Sequence, residues 1–118
     1  MNFKFKEQYS DIKRRADINK IREKYPDRIP IICEKDKKSI ITDLDKYRYL
    51  VKSDLTASQF SFVIRKRLGL NKSLALFLLV NGKHSIQGET TLGEIYEKYG
   101  DPDDGFLYIL YSAEIIYG

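Results

Sequence analysis

Seven consecutive apolar residues, Leu74 to Val80, constrain this chain more than any other feature. The run is far short of the roughly 20 residues that a membrane-spanning helix needs. It is followed by Asn81-Gly82, a dipeptide suited to the left-handed backbone of a hairpin turn. A strand covered on both faces fits such a run, and a strand of that kind is expected at the centre of a sheet. The remaining residues must then supply neighbouring strands and the helices that cover them.

Those elements are legible along the chain. Ile29-Pro30-Ile31-Ile32-Cys33-Glu34 predicts a strand, in which Pro30 cannot donate to a ladder. One side of its neighbourhood is therefore expected to be an exposed edge or a bulge. Lys35 to Lys38 predict a charged turn, and Tyr47 to Val51 a second strand. Thr56 and Gln59 form a capping-box pair ahead of a helix that places Phe60, Val63, Ile64 and Leu68 on one face. Thr91 and Glu94 repeat the signal for a shorter helix, Leu92 to Tyr99. Asp101 to Gly105 predict a loop, Phe106 to Tyr111 the last strand, and residues 112–118 a tail.

Residues 1–25 predict an N-terminal helical extension in two pieces, broken near Ser10, which caps the second piece. Ile12, Ala16 and Asn19 form one stripe on it; Asp17, Ile21 and Lys24 form the next. That apolar face is narrow, so the helix is expected to lie on a body rather than inside one. Pro26 stops it. The class is α+β. Residues 26–118 follow the order of a ubiquitin-like β-grasp, a mixed sheet with helices on one face, and the two N-terminal helices are an addition.

At 118 residues the chain is the size of one domain. Its single cysteine, Cys33, excludes an intramolecular disulfide. Cys33 alternates with Ile29 and Ile31, which reads as a small buried hydrophobe and not a nucleophile. His84 has no second metal ligand at useful spacing. Gly100 and Gly105 bracket acids, which would repel a phosphate. No catalytic group, metal or cofactor is implied. The opening Met1-Asn2-Phe3-Lys4 leads into charge and not into a secretory signal, so a cytosolic protein is expected.

Residues 1–25 carry eight basic and four acidic groups, and residues 26–118 carry thirteen of each, so the net charge of +4 sits at the N-terminus. A basic face on a neutral body suggests an acidic partner or an anionic surface. Nucleic acid is not expected, because aromatic stacking residues are not interleaved with these charges.

Several blocks carry a resemblance. Residues 20–32 read Lys-Ile-Arg-Glu-Lys-Tyr-Pro-Asp-Arg-Ile-Pro-Ile-Ile. Further on stand Asp43-Leu44-Asp45-Lys46, Tyr49-Leu50-Val51, Ser53-Asp54-Leu55-Thr56, Gln59-Phe60 and Ile64-Arg65-Lys66-Arg67. The chain closes with Gly105-Phe106-Leu107-Tyr108, Tyr111-Ser112 and Tyr117-Gly118. Over almost its whole length it resembles the autophagy-related protein 8 family of ubiquitin-like modifiers, most closely the GABARAP-type branch.

The resemblance implies that activating and conjugating enzymes join Gly118 to phosphatidylethanolamine, and that a cysteine protease reverses the bond. The product would mark the forming autophagosome membrane and recruit cargo receptors and adaptors carrying aromatic-x-x-aliphatic motifs. The protein would be cytoplasmic when free and vesicle-bound when conjugated. A glycine end suits the chemistry, because no side chain blocks the carbonyl.

The same resemblance places an aromatic pocket at Asp17, Ile21, Pro30, Ile32, Leu50 and Phe106. It places an aliphatic pocket at Tyr49, Val51, Leu55, Phe60 and Val63. Arg28, Lys46, Arg48 and Arg67 would meet acids flanking the motif. Lys52 stands where the family usually has proline, which would make the aliphatic pocket wider or more polar. Such N-terminal helices are associated with tubulin contacts and membrane tethering, with Lys13, Arg14 and Arg15 the first candidates here. An unconjugated peptide-binding adaptor and a cytoskeleton-binding module are the alternative readings.

Overall fold

The computed structural model describes residues 3–115. Its strands are β1 (Arg28–Lys35), β2 (Arg48–Lys52), β3 (Leu74–Val80), β4 (His84–Ile86) and β5 (Leu107–Ile115). They form one sheet in the order β2-β1-β5-β3-β4. Strand β1 pairs in parallel with β5, and the other pairings are antiparallel. Helices α1 (Lys4–Gln8) and α2 (Asp11–Lys24) precede the sheet; α3 (Ala57–Leu68) and α4 (Leu92–Tyr99) are interleaved with its strands.

The central strand is β5, and not the apolar run of β3. Every residue from Leu107 to Tyr111 is buried, whereas only Leu78 and Val80 are buried in β3. An apolar run requires cover on both sides only if helices reach it. Here β3 is next to the short edge strand β4, and Phe77 is 41% exposed. The predicted tail is also shorter than expected. Strand β5 continues through Ser112 to Ile115 because Leu74 to Phe77 of β3 offer a ladder for it.

Alternation divides the side chains of the sheet into two cores. Ile29, Ile31 and Cys33 do share a face, and with Leu107, Ile109 and Tyr111 they pack under Phe60 and Ile64 of α3 and Leu92 and Ile95 of α4. Ile32, Phe106, Tyr108 and Leu110 form the opposite face, covered by Phe3, Phe5 and Ile18 of the N-terminal segment. Both capping boxes are present, Thr56 with Gln59 and Thr91 with Glu94. Ser10 Oγ accepts the Lys13 amide at the start of α2. Asn81 and Gly82, with φ of 55° and 70°, make the β3–β4 turn.

Pro30 is tolerated in an interior strand because of where its missing donor points. Cys33 N–H donates to Tyr47, so the odd-numbered amides of β1 face β2 and the even-numbered positions face β5. The β1–β5 ladder begins only at Ile31, one residue after Pro30.

Helix α2 buries Arg14 and Ile18, and Ile21 packs beside them. The predicted stripe through Ile12 and Ala16 is not the buried one; Ile12 is 80% exposed. The orientation is set by an ion pair and not by apolar spacing. Arg14 is 5% exposed, and its Nε donates to Asp104 Oδ2 at 2.8 Å. Asp104 is also buried and accepts the Tyr108 hydroxyl at 2.5 Å and the Phe106 amide at 2.9 Å. Burial opposes the guanidinium charge, but these contacts outweigh it and hold Arg14 more firmly protonated than usual.

Candidate functional site

Strand β2 is an edge of the sheet. Residues 49 and 51 exchange hydrogen bonds with β1, by the parity that Cys33 and Tyr47 set. The backbone groups of Arg48, Leu50 and Lys52 therefore point away from β1, toward the free side. Such a row is a template for an added strand. In this pairing Pro30 opposes Leu50, and Ile31 opposes Tyr49.

Side chains alternate about this edge. Arg48 and Leu50 lie on the α2 face; Tyr49 and Val51 lie on the α3 face, where both join the core beside Phe60. On the α2 face, Leu50 and Ile21 are half-buried, whereas Pro30, Ile32 and Phe106 are buried. The last three are a floor and not walls. Asp17 is half-buried and already engaged, with Lys13 Nζ at 2.9 Å from Oδ1 and Arg48 at 3.7 Å from Oδ2.

On the α3 face the predicted set splits. Val51 and Leu55 are half-buried, and Val63 is 38% exposed. Phe60 is 0% exposed and stacks edge-on against Tyr49, with ring centroids 5.6 Å apart. Tyr49 is itself buried, and its hydroxyl donates to the Lys46 carbonyl at 2.7 Å. Burial pushes that phenol up to about 12. Tyr49 and Phe60 therefore underlie this region. Its open depression is lined by Val51 and Leu55 together with Lys52, Asp54 and Gln59. Asp54 and Gln59 were not anticipated; only their position beside Leu55 and the Thr56 cap signalled them.

The four predicted cations do not form one patch. Register places Arg28 opposite Lys52, at the far end of the edge from Arg48, which opposes Ile32. Lys46 is exposed, with Nζ 5.1 Å from the Tyr49 ring centroid. Arg67 reaches Asp45 at 3.2 Å. The Arg48 guanidinium lies over Phe5 and Tyr9, 4.7 and 5.6 Å from the ring centroids. It fastens α1 to β2 while leaving part of its surface open.

Arg14 is not available to a partner, because Asp104, Asp11 and the Tyr9 carbonyl enclose it; its predicted companions are exposed, though Lys13 pairs with Asp17 and Arg15 Nε donates to the Asp103 carbonyl at 2.9 Å. Cys33 is 0% exposed, and burial pushes its thiol well above the usual range. His84 lies in β4, not in a turn, stacked on Tyr99 at 4.6 Å. Among the described residues no three His, Cys, Asp or Glu side chains cluster as metal ligands, and no helix is long and apolar enough to cross a membrane. Gly118 lies outside the described residues.

The family model described as "Autophagy protein Atg8 ubiquitin like" matches residues 13–118. The chain belongs to the Atg8 family. Autophagy-related protein 8 of Coccidioides immitis (strain RS) is 48% identical to it over 120 residues, spanning 100% of this chain and 99% of that protein. The crystal structure of Trypanosoma brucei ATG8 matches with a TM-score of 0.89 at 43% identity, over 100% of both chains. Membership makes this a ubiquitin-like protein of autophagy. The Atg8 fold accounts for both cores, including the N-terminal helices.

Proposed function

We propose that this Atg8-family protein is a modifier and not an enzyme, joined through Gly118 to phosphatidylethanolamine. Free, it is cytoplasmic; conjugated, it sits on forming autophagosome membranes. There its β2 edge receives receptors and adaptors with aromatic-x-x-aliphatic motifs. Family activating and conjugating enzymes supply the chemistry. The Gly118 carboxylate is adenylated by ATP with loss of pyrophosphate; an enzyme cysteine thiolate then attacks the acyl adenylate, AMP leaves, and the chain is carried as a thioester. The lipid amine attacks that carbonyl, an amide forms and the thiol leaves. A family cysteine protease hydrolyses the amide to recycle the protein.

One observation carries the docking half: the same edge borders two faces of opposite parity. In an added strand, residues three apart point to opposite sides. An aromatic directed to Leu50 and Ile21 on the α2 face thus places the aliphatic residue over Val51, Leu55 and Val63 on the α3 face. Backbone pairing to Arg48, Leu50 and Lys52 supplies register, and the side chains supply choice. Lys52 and Asp54 make the aliphatic side more polar than a proline would.

The test is reconstitution with activating enzyme, conjugating enzyme, ATP and liposomes containing phosphatidylethanolamine. The natural chain is expected to give a membrane-bound, faster-migrating species, and Gly118→Ala none. If both remain soluble, the unconjugated adaptor is the better reading. For the edge, Leu50→Ala should weaken an aromatic-motif peptide by about 1–3 kcal/mol in calorimetry. Unchanged affinity moves the dock elsewhere.

A further inference from the structure

The last described residues of β5 lie between two lysine-bearing turns. Strand β5 ends at Ile115, opposite Leu74, and Ile115 is 53% exposed. On one flank, the turn after β1 folds across the last part of β5. Asp36 N–H donates to the Tyr111 carbonyl at 2.8 Å, and Ala113 N–H to Ser39 Oγ at 3.4 Å. The Lys35 ammonium braces this turn through the Ser39 carbonyl at 3.0 Å. The brace leaves Lys37 and Lys38 exposed, and Ile40 beside them is 89% exposed. On the other flank, the turn before β3 carries exposed Lys72 and is fixed by Arg65, which donates to the Asn71 and Leu74 carbonyls.

Acids are interspersed with the lysines at this pole. Asp36 accepts the Lys38 amide at 3.0 Å, and Asp45 holds Arg67. Glu114 and Asp43 are exposed. Beside the turn lies a hollow of about 240 Å³ lined by Lys4, Lys35, Lys37 and Lys38, by Glu34 and Asp36, and by the side of Leu110.

Distance ties the pole to the chain end. Two residues of strand, about 7 Å, separate Ala113 from Ile115. Three more residues, at most about 10 Å, separate Ile115 from Gly118. A tether that short lets the pole approach any surface Gly118 is bonded to within a Debye length, where lysines sense anionic lipid. An isoleucine as exposed as Ile40, close after Lys37 and Lys38, has the makeup of an interfacial contact.

We propose that Lys37, Lys38 and Ile40, with Lys72 and Ile115, form a second, non-covalent contact with an anionic bilayer, which fixes the orientation of the lipid-bound protein. This rests on conjugation at Gly118. Three lysines and two isoleucines are too little to recruit the free protein, so the contact forms only once the tether supplies the local concentration. With this pole down, the β2 edge is held at a set angle to the membrane.

The test replaces enzymatic conjugation with chemistry, so that its failure is separate from that of the conjugation reading. Gly118→Cys protein is coupled to maleimide-phosphatidylethanolamine in vesicles; Cys33 is fully buried and does not compete. Amide exchange in residues 36–41 is followed by mass spectrometry on vesicles with and without phosphatidylserine. Exchange is expected to slow several-fold only for tethered protein on anionic vesicles, and to recover in high salt. Lys37→Glu with Lys38→Glu, or Ile40→Ser, should abolish the protection. Lys20→Glu with Lys24→Glu, the same charge change on α2, should leave it intact. Equal exchange on neutral and anionic vesicles would overturn the proposal. So would equal loss in the α2 variant, or protection confined to another face such as Phe62 and Phe77.

Discussion

The two faces of the sheet are covered by different physics. Under α3 and α4 the cover is apolar, with Phe60, Ile64, Leu92 and Ile95 on a continuous hydrophobic surface and each helix started by its own capping box. Under α1 and α2 the cover is a clasp. Phe3 and Phe5 supply apolar area, but Arg14–Asp104–Tyr108, Lys6–Asp101 and Glu34 decide where the helices sit. Glu34 of β1 accepts the Lys4 and Phe5 amides, so α1 is capped by another element of the fold. An apolar cover fails all at once. A polar clasp is directional and local, and it responds to pH.

The largest effect that separates the faces is Phe60→Ala. It should cost about 3–5 kcal/mol in denaturant unfolding and lower protection throughout the molecule. Next, Arg14→Met leaves Asp104 buried and unpaired, a loss of about 3 kcal/mol. Here the loss should concentrate in α1 and α2, with β5 amides still protected in hydrogen exchange. Equal loss in β5 would mean that the two faces are one cooperative unit, and the contrast drawn above would be wrong.

A smaller effect is expected in acid. Burial alone would raise the Asp101 carboxyl, but hydrogen bonds from Lys6 and from the Asp103 and Asp104 amides hold it below its ordinary 3.8. Its stabilisation is therefore complete above that value and lost as pH falls through the lower folded one. Titration of the Phe5 and Lys6 amides by NMR should show α1 loosening in that range, before the β1 and β5 amides change. Lys6→Met should remove most of the pH dependence. The smallest effect sharpens the contrast by being nearly absent. Ile12→Ala should change stability by under about 0.5 kcal/mol, because Ile12 is in solvent. A cost of several kcal/mol would restore the apolar stripe as the face that docks α2.

The difference between the faces also marks how far sequence reading reaches. Caps and turns are local: Ser10, Thr56, Thr91 and Asn81-Gly82 act within a few residues, and each was legible from spacing. Alternation in β1 put Ile29, Ile31 and Cys33 on one face for the same reason. Strand position is not local. Leu74 to Val80 looked central by composition, yet β5 took that place because both β1 and β3 pair with it. The pocket sets show the same limit. The family resemblance named residues around the β2 edge, but only packing separated the accessible Leu50, Val51, Leu55 and Val63 from the buried Ile32, Phe60 and Phe106 beneath them.

By itself, the amino-acid order determined the four helices, four of the five strands and the grasp-type succession that makes an Atg8-family sheet; the three-residue β4 after the Asn81-Gly82 turn was not legible. Those follow from forces acting between residues close in the chain. The family resemblance already pointed to an exposed edge at Tyr49 to Val51, but tertiary structure alone decided that Arg14 is an internal tie and not a surface charge. It also decided that the turn bearing Lys37 to Ile40 lies beside the exit of β5. These depend on residues 70 or more positions apart meeting in space, as Ser39 meets Ala113 and Arg14 meets Asp104. No local pattern encodes such a meeting, because its energy exists only once the chain has closed on itself.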